Sequence, residues 1–222
     1  MNTIKIARWA AVIALLLSIA LVLAYILSRD RPLGEGYRLA SDYGGEFTLQ
    51  SDRGEVSLSD FRGKVVIVYF GFMNCQDACP ISMAKMRKAL NRLTEEELAS
   101  LQVFFVSIDP KRDTPEDLAA FTKNYHKNVM GLVDDAEIVN NLVAQYGGVA
   151  DMSILDGKSA VYDVEHSSRF YMVDKQGKLQ TTMSHSTTPA ELVAKIRLML
   201  KEPYPGTESN TELNTNGSAG AN

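Results

Sequence analysis

The sequence predicts a mixed α/β fold for most of its length. Apolar runs of strand type alternate with helical patterns between about residues 41 and 202. A strongly apolar run at residues 64–70 is followed at once by two cysteines and then by a helix signal. A strand, a helix, a hairpin and a last helix come after it. This order indicates a thioredoxin-like fold, in which helices flank a central mixed sheet.

The first elements are a short hairpin and a central strand. Residues 47–49 and 56–58 have strand composition, with Gly54 in the turn between them. The Val-Val-Ile-Val-Tyr-Phe run within residues 64–70 is typical of a strand that is buried on both faces. The cysteines follow this strand directly, so they are expected between the end of the strand and the start of the next helix.

The next elements are helices that alternate with strands. Pro80 lacks an N–H and is tolerated only in the first turn of a helix, so a helix is expected to begin close to Cys79 and to end near Leu93. Helix starts of the Thr-Pro type recur later in the chain. The later predictions are a strand at 103–108, helices at 114–126 and 136–146, a hairpin of 169–173 and 178–182, and a helix at 188–200.

An apolar stretch near the N-terminus predicts one transmembrane helix. Residues 10–27 contain only Ala, Val, Ile and Leu besides one Ser and one Tyr. At 1.5 Å per residue such a helix is about 27 Å long, enough to cross a hydrocarbon core. No Ala-x-Ala cleavage signal follows it, so we expect an uncleaved anchor. Lys5 and Arg8 favour a cytoplasmic N-terminus, although Arg29 and Arg31 weaken that asymmetry.

These patterns divide the chain into four parts. Residues 1–28 are a cytoplasmic stub with the anchor, 29–40 a linker, 41–202 the folded domain and 203–222 a disordered tail. The expected location is the inner (cytoplasmic) membrane, crossed once, with the soluble domain on the periplasmic side. The net charge of −4 argues against a nucleic-acid partner.

The chain has two cysteines, Cys75 and Cys79, between the central strand and its helix. The positive end of a helix favours the thiolate, which is the form that attacks disulfides and binds soft metals. A structural disulfide is the alternative in an exported protein, although a bridge that closes so small a loop constrains the unfolded chain little. The pair is therefore predicted to be a redox couple, a soft-metal site or both.

A histidine as third ligand would favour a metal site. Two thiolates and one imidazole suit Cu(I), and Cu(II) can add an oxygen donor, whereas zinc generally requires four ligands. The histidines are His126, His166 and His185. His126 follows a charged helical segment and is expected to be a solvated surface residue. The residues alone do not choose between His166 and His185.

Four segments of the chain, taken in order, are characteristic of one family. They are Tyr69-Phe70-Gly71-Phe72, Cys75-Gln76-Asp77-Ala78-Cys79-Pro80, Ser107-Ile108-Asp109-Pro110-Lys111-Arg112-Asp113-Thr114-Pro115-Glu116 and Val164-Glu165-His166-Ser167. Together they resemble the SCO/SenC family over about residues 45–200. The resemblance implies a membrane-anchored, thioredoxin-like protein that binds a copper ion and helps to assemble the dinuclear copper centre of cytochrome c oxidase subunit II.

The resemblance also implies the ligands and the partners. The copper ligands would be Cys75, Cys79 and His166, with the two cysteines also acting as a redox dithiol. The expected partners are cytochrome c oxidase subunit II or another copper or thiol acceptor, a thiol reductant, and the membrane. The chain is therefore predicted to be mainly a metallochaperone with coupled thiol–disulfide exchange. The alternative is a metal-independent, membrane-anchored thiol–disulfide oxidoreductase, against which the absence of Cys-x-x-Cys spacing argues.

Several residues beside the cysteines have two interpretations each. Met73-Asn74 and Gln76 stand where family members commonly have Thr-His and Pro, and Gln76 would free the loop between the thiols. Asp77 either bounds the metal site or caps the helix. Asp109 is either an acid that supports the site or a turn residue at a strand end. The helical spacing of Met83 and Met86 favours core packing over a methionine path for copper.

Overall fold

The computed structural model describes residues 9, 13, 16–21, 43–76, 78–148 and 168–204. The chain divides into two compact units, Met1–Leu39 and Ala40–Asn222. In the first unit the described residues are helical and exposed. Among the residues described, no helix is both long enough and apolar enough to cross a membrane. Most of the predicted anchor, the whole linker and nearly all of the predicted tail lie outside the described residues.

The second unit alternates strands and helices in the predicted order. Its elements are β1 (Thr48–Ser51), β2 (Gly54–Ser57), a 3-10 helix (Leu58–Phe61), β3 (Val65–Gly71), α1 (Ala78–Leu90), α2 (Glu95–Ala99), β4 (Leu101–Ser107), α3 (Pro115–Lys123), β5 (Val129–Leu132), α4 (Ala136–Gln145), β6 (Arg169–Val173), β7 (Leu179–Ser184) and α5 (Pro189–Lys201). Every predicted element of this unit is present within a few residues of its expected bounds. The sequence patterns did not predict β5 and α2, which are too short to show a period.

A mixed five-stranded sheet forms the centre of this unit. Its strand order is β5-β4-β3-β6-β7, and the hairpin of β1 and β2 forms a separate two-stranded sheet. β3 pairs in parallel with β4, and β4 in parallel with β5. β3 pairs antiparallel with β6, and β6 with β7. The predicted central position of β3 is confirmed, and the mixed sheet agrees with the expected thioredoxin-like architecture.

Both faces of the sheet are covered. Alternate residues of β3 point to opposite faces, and all seven are buried. One face packs against the buried sides of α1, α3 and α5. The other face packs against α4 and the hairpin. The end of β3 therefore emerges between two apolar layers, and it carries the cysteine loop directly to the amino end of α1.

Candidate functional site

The two cysteines lie at the junction between β3 and α1. The strand ends at Gly71, and the Cys75 N–H donates to the carbonyl oxygen of Phe72 at 3.3 Å, which closes a turn. α1 then begins at Ala78, so Cys79 lies in its first turn. The placement of one cysteine in the turn and the other at the helix start agrees with the sequence prediction.

The sulfur atoms of the pair are adjacent. Both cysteines are reduced; Cys75 is half-buried, whereas Cys79 is only 3% exposed. The Cys79 backbone N–H donates to Sγ of Cys75 at 3.5 Å, and the two side chains also share a hydrogen bond. Two soft donors that contact each other can bind the same soft cation, or they can form an intramolecular disulfide. The donor set therefore fits a copper ion.

The electrostatics of the inner sulfur differ from the sequence expectation. A hydrogen bond with Cys75, burial and the charge of Cys75 raise the pKa of the Cys79 thiol far above its usual range. The backbone N–H of Phe72 and the hydroxyl of Tyr69 oppose this effect on the pKa only in part. The helix end alone therefore does not make Cys79 a thiolate, because desolvation and the shared hydrogen bond are stronger. Cys75 is the sulfur that reagents reach.

A buried carboxyl group in the loop after β4 holds the cysteine loop. Asp113 is 2% exposed, and its Oδ2 accepts the Met73 N–H at 3.0 Å and the Ser107 hydroxyl at 2.6 Å. Burial is the main cause that raises the pKa of Asp113. Sequence reasoning missed this contact. Its only signal was the position of Asp113 within the family segment that follows β4.

Asp109 makes the contacts of a strand-end turn. Its carbonyl oxygen accepts the N–H groups of Arg112 and Asp113 at 3.1 and 3.0 Å, and its carboxylate pairs with the Arg112 guanidinium. Its own N–H donates to the Ser107 hydroxyl at 3.1 Å. Of the two interpretations of Asp109, these contacts favour the turn residue. Asp77 lies outside the described residues, so its two interpretations stay predictions.

The histidine ligand predicted from the family segment, His166, lies outside the described residues. His185 is half-buried beyond β7, where its N–H donates to the Ser168 carbonyl at 3.0 Å and its own carbonyl accepts the Lys85 ammonium at 2.6 Å. Within the described ranges, no three His, Cys, Asp or Glu side chains form a group that could hold a metal ion. His185 therefore does not complete a three-ligand site with the cysteines.

His126 is less solvated than the sequence indicates. Its Nδ1 accepts the Asn128 N–H at 3.1 Å, and burial lowers the pKa of the ring. This hydrogen bond gives the ring a local structural role in the turn before β5. The described structure offers no reason to count His126 among the ligands.

Two further features of the site concern packing. Met83 and Met86 are fully buried under the sheet, which confirms the prediction of core packing. Gly71 leaves room for the inner sulfur: a Cβ there would lie 3.0 Å from Sγ of Cys79 and 2.9 Å from Cζ of Phe105. Sequence reasoning cited Gly71 only as part of a segment and did not predict this close approach.

Comparison with known proteins agrees with this architecture. A SCO2-like protein of Rickettsia conorii is 30% identical over 202 residues, which cover 88% of this chain and 97% of that protein. The solution structure of apo Sco1 from Thermus thermophilus is 30% identical with a TM-score of 0.64, and it covers 74% of this chain and 96% of the other. Yeast Sco1 with copper bound is 28% identical with a TM-score of 0.62, covering 78% of this chain and 100% of the other.

Copper, the ion expected from the sequence, is thus the ion bound in the yeast structure. The family model described as SCO1/SenC matches residues 35–201, which is most of the chain. This match includes β1 to α5 and both cysteines. With the two reduced thiols at the β3–α1 junction, the comparisons lead to one conclusion: the chain belongs to the SCO1/SenC family.

Proposed function

We propose that this protein binds a copper ion through Cys75, Cys79 and His166 and delivers it during assembly of the copper centre of cytochrome c oxidase subunit II. The observation that carries the proposal is the pair of reduced cysteines at the β3–α1 junction of a SCO1/SenC chain, whose side chains interact with each other. Cu(I) is a soft cation that prefers thiolate ligands to hard oxygen ligands. The half-buried sulfur of Cys75 gives an acceptor protein access to the ion.

The choice of His166 as third ligand has indirect support. Ser168 follows two residues later, immediately before β6, and lies close enough to the Tyr69 hydroxyl to affect its pKa. That hydroxyl in turn lies beside the Cys79 side chain. Ser168, the second residue after His166 in the sequence, is therefore close to the inner sulfur. His185, by contrast, forms no three-residue group with the cysteines that could hold a metal ion in the described part of the chain.

The location is part of the proposal. We infer that the apolar residues 10–27 anchor the protein in the inner membrane and that residues 29–40 link the anchor to a domain of residues 41–202 on the periplasmic side. The polar composition of residues 203–222 supports a disordered tail. An acceptor would then be met outside the cytoplasm, where a thiol reductant is needed to keep both cysteines reduced.

One observation also favours a second function, thiol–disulfide exchange. The outer sulfur of Cys75 is accessible and the inner sulfur of Cys79 contacts it, which is the arrangement that thiol–disulfide exchange requires. Cys75 would attack a substrate disulfide, and Cys79 would then displace the substrate thiol and leave a Cys75–Cys79 disulfide. This reaction transfers two electrons to the substrate, and it needs no metal.

Copper titration of the full chain in detergent decides between these functions. We expect the reduced protein to bind about one copper per chain with a sulfur-to-copper charge-transfer band, because the ligand set is soft and mixed. Cys75→Ser, Cys79→Ser and His166→Ala should each weaken binding strongly, whereas His185→Ala is the matched control and should not. Disulfide reductase activity without stable copper binding would support the second function instead.

The oxidised protein provides a further check. A Cys75–Cys79 disulfide has no thiolate, so copper uptake should be lost on oxidation and return on reduction. Equal uptake by both forms would place the metal site elsewhere in the chain.

A further inference from the structure

The buried hydroxyl of Tyr69 lies beside the side chain of Cys79, and the buried hydroxyl of Ser82 lies beside that of Tyr69. Tyr69 and Ser82 are both 0% exposed, and neither the Tyr69 hydroxyl nor the Ser82 hydroxyl has a partner among the described residues. The Tyr69 hydroxyl lies beside the side chains of Cys79, Ser82 and Ser168, close enough for all three to affect its pKa. Buried polar groups are nearly always satisfied, so two neighbouring exceptions beside a reactive sulfur require an explanation.

The hydroxyl of Tyr69 adds nothing to the packing of its ring. In the sheet register Tyr69 is paired with Phe105 on one side and with Phe170 on the other. The ring centroids are 6.0 and 5.2 Å away, so three aromatic rings form one row beneath α1. A phenylalanine would fill the same space. The difference between Tyr and Phe at this position is one hydroxyl, and that hydroxyl is next to the Cys79 sulfur.

The helix likewise gives no structural reason for a hydroxyl group at Ser82. Ser82 lies three residues after Cys79 on α1, so both side chains face the sheet. A serine within a helix usually bonds to a carbonyl of the preceding turn or points into solvent. Ser82 does neither, although alanine would be the better helix former and would leave no buried polar atom.

We propose that Tyr69 and Ser82 are positioning residues that donate hydrogen bonds to the Cys79 sulfur in its reduced and copper-bound states. Both hydroxyl protons rotate freely, so each donor can turn to the sulfur without a movement of the backbone. A reduced or copper-bound sulfur carries more negative charge than a disulfide sulfur and gains more from a donor. The two residues therefore stabilise the reduced pair relative to the disulfide. This inference rests on the proposed thiol function.

The test is the equilibrium of the full chain with a dithiothreitol redox buffer at neutral pH. The Cys75–Cys79 dithiol gives two electrons and two protons to the cyclic disulfide of the buffer, forming the protein disulfide and reduced dithiothreitol. Tyr69→Phe should shift this equilibrium about 5-fold towards the protein disulfide, since one hydrogen bond contributes roughly 1 kcal/mol. Ser82→Ala should shift it in the same direction, and the double variant further than either.

Tyr146→Phe is the matched control. Tyr146 is also buried, but it packs against the opposite face of the sheet and its hydroxyl donates to the Gly45 carbonyl at 2.9 Å. Its loss should lower the free energy of unfolding and leave the dithiol equilibrium unchanged. In Tyr69→Phe and Ser82→Ala the free energy of unfolding should fall more for the reduced protein than for the disulfide form, because the reduced sulfur is the better acceptor of the hydrogen bond that is lost. An unchanged equilibrium in both variants would overturn the proposal.

The copper complex provides an independent readout. In Tyr69→Phe the charge-transfer band should move to lower energy at unchanged stoichiometry, because a hydrogen bond to sulfur lowers the energy of its filled orbitals. A wild-type protein that binds no copper would defeat the proposed copper function, whereas the dithiol equilibrium would still test the hydrogen bonds. An equal shift of that equilibrium in Tyr146→Phe would show that general loosening, and not the hydroxyl at Cys79, is the cause.

Discussion

The Asp113 carboxylate accepts the backbone N–H of Met73 at 3.0 Å and so joins the loop after β4 to the loop that carries the cysteines. The two residues are 40 positions apart in the sequence. The same oxygen accepts the Ser107 hydroxyl, so the contact is part of a small buried network. The geometry of the cysteine loop therefore depends on a neighbouring strand as well as on its own turn.

Removal of this carboxylate should destabilise the domain. Asp113→Ala leaves the Met73 N–H and the Ser107 hydroxyl without their acceptor, at a cost of about 1–3 kcal/mol in the free energy of unfolding. Urea unfolding measures this loss in the free energy of unfolding. Glu116→Ala is the control, since Glu116 is exposed on the adjacent helix and should change stability little. Equal stability of the two variants would contradict the structural role of Asp113.

The contribution of Asp113 to the free energy of unfolding should also depend on pH. Burial, and to a smaller extent the charge of Asp109, raise the pKa of Asp113, while Arg112 and the hydrogen bonds from Ser107 and Met73 lower it in part. A carboxyl whose pKa is higher in the folded state stabilises most below its unfolded pKa of about 3.9, and this stabilisation is lost as the pH rises through the folded pKa. The stability of wild type minus that of Asp113→Asn should therefore fall from acidic to neutral pH. Urea unfolding across this range provides the check, and a flat or rising difference would contradict it.

Gly71 should be intolerant of any side chain. Gly71→Ala brings a Cβ within 3.0 Å of Sγ of Cys79 and within 2.9 Å of the Phe105 ring, and overpacking of this kind typically costs about 1–3 kcal/mol. The displaced sulfur should also change the dithiol equilibrium. Gly131→Ala is the matched control, because its Cβ would clash with Leu118 and not with a cysteine. The control should lose stability while the dithiol equilibrium stays the same, and an identical equilibrium in Gly71→Ala would exclude an effect on the sulfur.

The two thiols should react in a fixed order. Cys75 is half-buried, whereas Cys79 is 3% exposed and has a strongly raised pKa because of its hydrogen bond with Cys75 and its burial. An alkylating reagent should therefore modify Cys75 first in the native protein. Mass spectrometry of peptides after short exposure measures the order, and unfolded protein is the control in which both thiols should react similarly. Faster modification of native Cys79 would contradict the arrangement of the pair.

Local patterns were enough to predict most of the fold. The apolar run of β3, the proline in the first turn of α1 and the Thr-Pro helix starts each act within a few residues, so a single sequence displays them. The same applies to the position of Cys75 and Cys79 between strand and helix. The strand β5 and the helix α2 were not predicted, because elements of four and five residues show no period. The equally short β1 and β2 were predicted because Gly54 indicates the turn of their hairpin.

By itself, the sequence determined the cysteine pair, its place in the fold and the family segments, because these depend on residues that are neighbours along the chain. Only the tertiary structure decided that Asp113 holds Met73 and that Gly71 makes room for Cys79. It buries the hydroxyls of Tyr69 and Ser82 beside each other, with the Tyr69 hydroxyl next to Cys79. It also showed that burial and the hydrogen bond to Cys75 raise the pKa of Cys79 against the effect of the helix end. These properties arise from packing between β3, β4 and α1, which brings residues from separate segments within van der Waals contact and excludes water.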